Sequence, residues 1–249
     1  IPKTVTHEGI TYSVTGIDED AFFRCTSLTS ITIPNSVTTI EASAFQNCSS
    51  LTSITIPNNR MSINSYAFLN VSSITSVILT GTSVESFCQG TTNGQLNSLG
   101  IQCERCIYIN GKEVTKLVIP NNVTSIANSA FRNCSSLTSI AIGDSIASIG
   151  SYAFSGCSRL TEVVIPNSVT SIGLRAFSGC SSLTSVIWNA KNCSDYLSYA
   201  YAPFYNSSSI TSFTFGENVE IIPAYLCSGI TSLSTITIPT NITNIGQEA

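Results

Sequence analysis

Apolar and polar residues follow a pattern that repeats along the chain. The motif LxxIxI, with conservative replacements, occurs nine times. The copies begin at Leu28, Leu51, Ile74, Val114, Leu137, Leu160, Leu183, Ile210 and Leu233. Six of the eight intervals are 23 residues long, and insertions of 17 and 4 residues lengthen the other two. A fixed period of this length predicts a solenoid of stacked coils, in which each coil buries its apolar residues against its neighbours.

Each unit also predicts its own local elements. The last two apolar residues of LxxIxI alternate with a polar residue, which is typical of a strand with one buried face. Proline often follows, as at Pro166, and ends the strand because it cannot donate a ladder hydrogen bond. A second apolar pair, such as Val169 and Ile172, predicts a second short inward-facing strand or a bend. An Ala-Phe step, such as Ala176-Phe177, predicts a brief helical turn.

Three segments depart from the plain repeat, which otherwise predicts a single solenoid over residues 1–249. They are an N-terminal capping hairpin at 1–17, an insertion at 80–113 with a hairpin at 107–114, and an enlarged divergent unit at 189–204. Asn-Gly is a strong hairpin-turn signal, and Asn110-Gly111 supplies it in the insertion. Because the chain starts at an isoleucine and stops within an Ala-Phe step, we expect a fragment of a longer protein.

The unit sequence resembles a known repeat family. The stretch Ile165–Gly173, followed by Ala176–Cys180, is similar to the BspA-like, or Treponema-type, leucine-rich repeat. The resemblance implies a curved right-handed horseshoe segment with a parallel sheet on its concave side. It also implies an extracellular or cell-surface protein of host-associated bacteria, because most members are secreted or anchored there. Several members are adhesins that bind host proteins or other bacterial cells, and the family has no shared catalytic residues.

The ten cysteines fall into two groups. Five lie three residues after a phenylalanine of the repeat, and we expect a column of buried free thiols: Cys25, Cys48, Cys134, Cys157 and Cys180. Cys227 fits the phenylalanine position of its unit and is expected in the core. The irregular cysteines are Cys88, Cys103, Cys106 and Cys193. A disulfide within 88–106 suits an exported protein better than zinc, because there is no second CxxC pair. We predict no cofactor and no metal.

Composition excludes several classes of function. Only 10% of the residues are charged, and the net charge of −4 leaves no basic footprint for nucleic acid. No apolar run approaches the ~18 residues of a membrane-spanning helix, so no membrane insertion is expected. The one histidine, His7, lies beside the turn of the first hairpin, where it is expected to be solvated. No paired carboxylates or nucleophile elbow are identifiable, so the sequence predicts no enzyme.

The outward-facing positions of the strands give candidate binding residues. Most carry hydroxyls, but the middle of the row carries Lys116, Val118, Glu162, Val164 and Ile187. A second candidate group is aromatic: Trp188, Tyr196, Tyr199, Tyr201 and Tyr205. Exposed aliphatic residues fit a docking surface, but they equally fit strand formers without a ligand. The aromatic residues fit either a binding loop or a loop packed onto the solenoid.

These patterns favour a non-catalytic surface or secreted module. We expect it to bind a host or bacterial surface protein through the concave sheet and the inserted loops. One alternative is a glycan-binding module that uses the aromatic loop. Another is a structural spacer that holds other domains apart, in which case the outward residues have no partner.

Overall fold

The computed structural model of the protein describes residues 1–57, 61–64, 66–71, 73–80, 106–109 and 112–249. The chain divides into two compact units, of which unit 1 comprises Ile1–Phe87 and Thr91–Glu113, and unit 2 comprises Cys88–Gly90 and Val114–Ala249. Both are β-solenoid, with about eight turns in all and parallel sheets, so the predicted fold class is confirmed. Among the described residues the one helix is a 3-10 turn, Tyr199–Tyr201. The continuity of a single solenoid over the whole chain stays a prediction.

Unit 1 contains two stacks of strands and a hairpin. Its strands are β1 Thr4–His7, β2 Ile10–Ser13, β3 Gly16–Ile17, β4 Ser30–Thr32, β5 Thr39–Ile40, β6 Ser53–Pro57, β7 Ser62–Ile63, β8 Ser76–Thr80, β9 Cys106–Ile109 and β10 Lys112–Glu113. The larger sheet has the order β10-β9-β8-β6-β4, the smaller sheet has the order β3-β5-β7, and β1 pairs with β2. The strands of both stacks are parallel, except that β9 and β10 form an antiparallel pair.

Unit 2 has the same two kinds of strand. They are β11 Lys116–Val118, β12 Ser125–Ile126, β13 Ser139–Ala141, β14 Ser148–Ile149, β15 Glu162–Ile165, β16 Ser171–Ile172, β17 Ser185–Trp188, β18 Ser212–Phe215, β19 Ile221–Ile222, β20 Thr235–Thr237 and β21 Asn244–Ile245. The longer strands form the sheets β11-β13 and β15-β17-β18-β20, and the short ones form β12-β14-β16 and β19-β21. The second apolar pair of each unit therefore makes a short strand rather than a bend.

The period of 23 places equivalent residues of successive coils side by side. Ser30 pairs with Ser53, and Ile149 pairs with Ile172. As a result, the phenylalanines of the Ala-Phe steps stack ring on ring through the core. The ring centroids of Phe131, Phe154 and Phe177 follow one another at 5.3 and 5.2 Å. Each Ala-Phe step forms a single hydrogen-bonded turn.

Hydroxyl side chains connect one coil to the backbone of the coil before it. The Thr52 hydroxyl donates to the Thr29 carbonyl at 3.0 Å, and the Thr184 hydroxyl donates to the Thr161 carbonyl at 3.2 Å. Ser234 takes the same position in its own coil and donates to the Thr211 carbonyl at 3.0 Å. These positions therefore stabilise the stack as well as face solvent.

The cysteine column is mostly buried and also forms hydrogen bonds. Cys48, Cys134, Cys157 and Cys180 are buried free thiols, as predicted. The thiols of Cys157 and Cys180 donate to carbonyl oxygens of the preceding coil at 3.2 and 3.3 Å. The prediction was wrong for Cys25, which is exposed because it lies in the first described coil. Cys227 is half-buried rather than fully in the core, and Cys193 is buried.

Antiparallel strand pairs occur near the N-terminus and in the insertion. Strands β1 and β2 pair from Thr4↔Ser13 to His7↔Ile10, but all their residues are exposed, and Cys25 of the first coil is left uncovered. In the insertion, β9 pairs with β10 and also runs parallel to β8, so the insertion adds a strand to the sheet. The Asn110-Gly111 turn and the expected disulfide within 88–106 fall on residues outside the described ones.

Candidate binding surface

Two rows of side chains lie on the outer face of the longer strands of unit 2. Alternation along each strand turns Leu117, Val163 and Val186 inward, where they are buried. The first outward row consists of Lys116, Ser139, Glu162, Ser185, Ser212 and Thr235. The second outward row consists of Val118, Ala141, Val164, Ile187, Thr214 and Thr237. The five candidate strand residues therefore all lie on this outer face.

The second row is apolar over its first four positions. The side chain of Val118 is 67% exposed and that of Val164 is 37% exposed, while Ile187 is partly exposed. Lys116 and Glu162 are exposed in the first row and carry opposite charges. The outer face thus offers an aliphatic stripe with one cation and one anion beside it.

Two of the aromatic candidates are buried, and the prediction that they bind a partner was wrong. Trp188 occupies an inward position at the end of β17, level with Ile165 and Phe215 of the adjacent strands, and it is 0% exposed. The repeat register held the signal, because Trp188 replaces the last isoleucine of LxxIxI. Tyr196 is buried with its hydroxyl 4.0 Å from the Cys193 thiol, and burial raises the pKa of Tyr196.

The other three tyrosines lie on a surface segment. Tyr199 and Tyr201 are 53% and 46% exposed, and the rings of Tyr199 and Tyr205 are 5.9 Å apart. The Arg175 guanidinium lies 4.2 Å from the centroid of the Tyr205 ring, and its Nε donates to the Ala200 carbonyl at 2.8 Å. No local sequence pattern marks Arg175, since this contact joins different coils. Because Arg175 packs against the Tyr205 ring, Tyr199 and Tyr201 have the more accessible rings.

The divergent unit is nevertheless a regular coil at its core. Phe204 continues the phenylalanine column, at 5.5 Å from Phe177. Ser207 takes the cysteine position, and its hydroxyl donates to the Phe177 carbonyl at 2.8 Å. The added residues therefore bulge at Tyr199–Tyr201 without interrupting the stack.

A cavity of about 300 Å³ opens at the carboxyl ends of the longer strands of unit 2. Its lining consists of Ile142, Asp144, Val164, Pro166, Asn167, Asn189, Glu217 and Asn218. Val164 belongs to the outer face as well, so the cavity adjoins the aliphatic stripe. No sequence motif predicts the cavity, but the repeat marks its charges: Gly-Asp and Gly-Glu stand at 143–144 and 216–217, where four of the nine units have Pro-Asn.

The repeat matches a known family of proteins. The family model described as "BspA type Leucine rich repeat region" matches in six copies, over residues 4–104, 104–203 and 198–249. The chain belongs to the BspA-type leucine-rich repeat family. Proteins of this family are typically not enzymes, and leucine-rich repeats generally mediate protein–protein interaction. No curated protein matches the chain.

Solved bacterial structures are similar to this BspA-type chain. A leucine-rich repeat protein from Eubacterium ventriosum is 18% identical, with a TM-score of 0.55 over 92% of this chain and 71% of that one, which supports the shared fold. A leucine-rich repeat protein from Bacteroides ovatus is 24% identical, with a TM-score of 0.47 over 100% and 70% of the two chains. A leucine-rich cell surface protein from Faecalibacterium prausnitzii is 24% identical, with a TM-score of 0.46 over 99% and 70%. In the described part of this chain, no helix has the length and apolarity needed to span a bilayer.

Proposed function

We propose that this BspA-type chain is a non-catalytic adhesion module, located at the cell surface or secreted, that binds a host or bacterial surface protein. The observation that carries the proposal is the aliphatic stripe of Val118, Ala141, Val164 and Ile187 on the outer face of unit 2. Exposed aliphatic groups lose unfavourable contact with water when a partner covers them. The surface location is supported by the family and by the F. prausnitzii cell surface protein.

The stripe differs from the rest of the outer face. At the later strands of the same row the residues are Thr214 and Thr237, which keep the β propensity of valine but expose a hydroxyl. Strand formation alone therefore does not require aliphatic side chains at this position. Lys116 and Glu162 beside the stripe add charges that fix the orientation of a partner, since charge complementarity gives specificity more than affinity.

The test is binding of the purified chain to immobilised fibronectin, fibrinogen, laminin and collagen, measured by surface plasmon resonance. We expect saturable binding to at least one of them and at least a tenfold loss in Val118→Glu/Val164→Glu. The control is Leu69→Glu, which places one glutamate charge at an exposed apolar residue of unit 1 that does not belong to the stripe. Absence of binding to all four proteins, or equal affinity of the double variant and the control, would contradict the proposal. A spacer predicts such equality.

Glycan binding is a second candidate, supported by the exposed rings of Tyr199 and Tyr201. Aromatic faces pack against the apolar faces of sugar rings. We expect hits on a glycan array that disappear in Tyr199→Ala and persist in Tyr66→Ala, because Tyr66 is a similarly exposed tyrosine in unit 1. An array without hits, or hits unaffected by Tyr199→Ala, would remove this candidate.

A further inference from the structure

The cavity beside the aliphatic stripe is negatively charged, and its lining residues include no cation. Asp144 and Glu217 both line it and are both exposed. In the described part of the chain, neither carboxylate takes part in an ion pair. The cation on the neighbouring loop, Lys191, is already paired with Glu220 at 2.9 Å. The cavity therefore presents two uncompensated negative charges to solvent.

An interruption of the sheet accounts for the position of the cavity. Strands β13 and β15 are the longer strands of neighbouring coils, yet within residues 114–249 they belong to separate ladders. A hydrogen bond of 3.5 Å from the Thr161 N–H to the Thr138 carbonyl joins the chain just before these two strands. Near the carboxyl ends of these strands, Ile142 and Val164 both line the opening.

The remaining lining residues match a side chain with an aliphatic stem and a polar head. Ile142, Val164 and Pro166 provide apolar walls, and the asparagines at 167, 189 and 218 provide amide carbonyl acceptors. A volume of about 300 Å³ is at the lower end for small-molecule sites and suits one or two side chains of a peptide. Lysine and arginine carry apolar stems and donor-only heads, which complement such a lining.

We propose that the cavity binds a basic segment of the protein partner, with arginine or lysine side chains directed at Asp144 and Glu217. The inference rests on the proposed function, because it names the chemistry of the partner at the edge of the same outer face. Asp144 and Glu217 follow β13 and β18, which are three strands apart, so their separation is about 14 Å at ~4.8 Å per strand. Two basic residues four positions apart in an extended segment span a similar distance, at ~3.4 Å per residue.

Two other occupants fit the lining less well. A calcium ion takes oxygen ligands at ~2.3–2.6 Å, so carboxylates separated by three strands do not share one ion. In the described residues, no group of three or more His, Cys, Asp or Glu side chains could hold a metal. A sugar ring is commonly held by an aromatic face, and the eight lining residues include no aromatic side chain.

The probe for this site is the peptide acetyl-Arg-Gly-Gly-Gly-Arg-amide, titrated into the 15N-labelled full chain and followed by NMR. We expect saturable shifts of the side-chain amides of Asn167, Asn189 and Asn218, and much smaller shifts with the citrulline peptide, which has nearly the same shape without the charge. Asp144→Asn and Glu217→Gln should each weaken binding about twofold to fivefold, as for exposed ion pairs. The control is Glu248→Gln, which removes one exposed charge of unit 2 outside the cavity.

Three outcomes would overturn the proposal. They are equal binding of the arginine and citrulline peptides, equal effects of the cavity variants and Glu248→Gln, or saturation of the same amides by calcium chloride but not by the peptide. The result is separate from the matrix-protein test. If the chain binds a matrix protein through Val118 and Val164 but does not bind the peptide, only the cavity proposal is refuted. If the chain binds the peptide but no matrix protein, only the adhesion proposal is refuted.

Discussion

The serine that replaces cysteine in the divergent unit gives a direct test of how the coils are joined. Ser207 is 2% exposed, and its hydroxyl donates to the Phe177 carbonyl at 2.8 Å. In the described part of the chain, the Cys180 N–H also donates to that carbonyl, at a longer 3.4 Å. Ser207→Ala therefore leaves a buried acceptor with one weak bond. We expect a loss of about 1–2 kcal/mol in the free energy of unfolding, the usual effect of removing one partner of a buried hydrogen bond.

The same column predicts that a thiol substitutes for this hydroxyl. Cys157 and Cys180 make the equivalent bond to the preceding coil at 3.2 and 3.3 Å, so Ser207→Cys should lose less than half as much as Ser207→Ala. The measurement is urea unfolding followed by circular dichroism, with thermal unfolding as a second readout. For a chain of this length the alanine variant should melt about 2–8 °C lower. The control is Ser208→Ala, which changes an exposed serine next in sequence.

Two results would refute this reasoning. If Ser207→Ala unfolds within about 0.3 kcal/mol of the parent and of Ser208→Ala, the bond between coils contributes nothing to stability. If Ser207→Cys is as unstable as Ser207→Ala, the column does not select a donor at this position, and the cysteines act only as small apolar residues.

Three further predictions concern the stack itself. Gly173→Ala should lose about 1–3 kcal/mol in urea unfolding, because the added Cβ would meet the backbone nitrogen of Ser151 in the preceding coil; a loss no larger than that of Ser171→Ala, at an exposed position of the same coil, would contradict this. Phe154→Ala should lose about 3–5 kcal/mol and Phe154→Leu clearly less, since Phe154 is fully buried between two stacked rings; equal losses would argue against the stack. Burial raises the pKa of the Cys180 thiol from 9.0 to about 12. The contribution of this thiol to stability is therefore complete below pH about 9 and falls as the unfolded thiol ionises between pH about 9 and 12. Between pH about 8 and about 11, the free energy of unfolding in urea should fall less in Cys180→Ser than in the parent, and an equal fall would contradict the assignment.

The repeat period was enough to predict the strands, because period and alternation act on every coil in the same way. Equivalent residues such as Ser148 and Ser171 pair since they are 23 positions apart, and the sequence alone places them there. The sequence does not decide whether Val169 and Ile172 form a strand or a bend, because two residues are too few to show a periodicity. The stack decides it: Ile172 pairs with Ile149 in a parallel ladder.

The candidate site was less predictable, because composition says little about which way a residue faces. Trp188 and Tyr196 are aromatic residues in or beside an irregular unit, which favours a binding role, yet both are buried. The repeat register excludes Trp188 from the sequence alone, because Trp188 stands at the last, inward isoleucine position of LxxIxI. Contacts such as Arg175 with Tyr205 join residues of different coils across an insertion, so no local pattern contains them.

Hydrogen bonding between coils also explains why charged residues are few and why the positions of the remaining ones point to function. Thr184 and Ser207 donate to the carbonyl of an earlier coil, which a small hydroxyl can reach from a fixed position in the repeat. A lysine or glutamate cannot make this short contact, so many positions between coils favour serine, threonine or cysteine over charge. Charges are then retained chiefly where this constraint is absent. Asp144 and Glu217 stand at such positions, in loops where four of the nine units have asparagine, and both line the same cavity. The proposed recognition of a basic partner segment predicts carboxylates at these two positions.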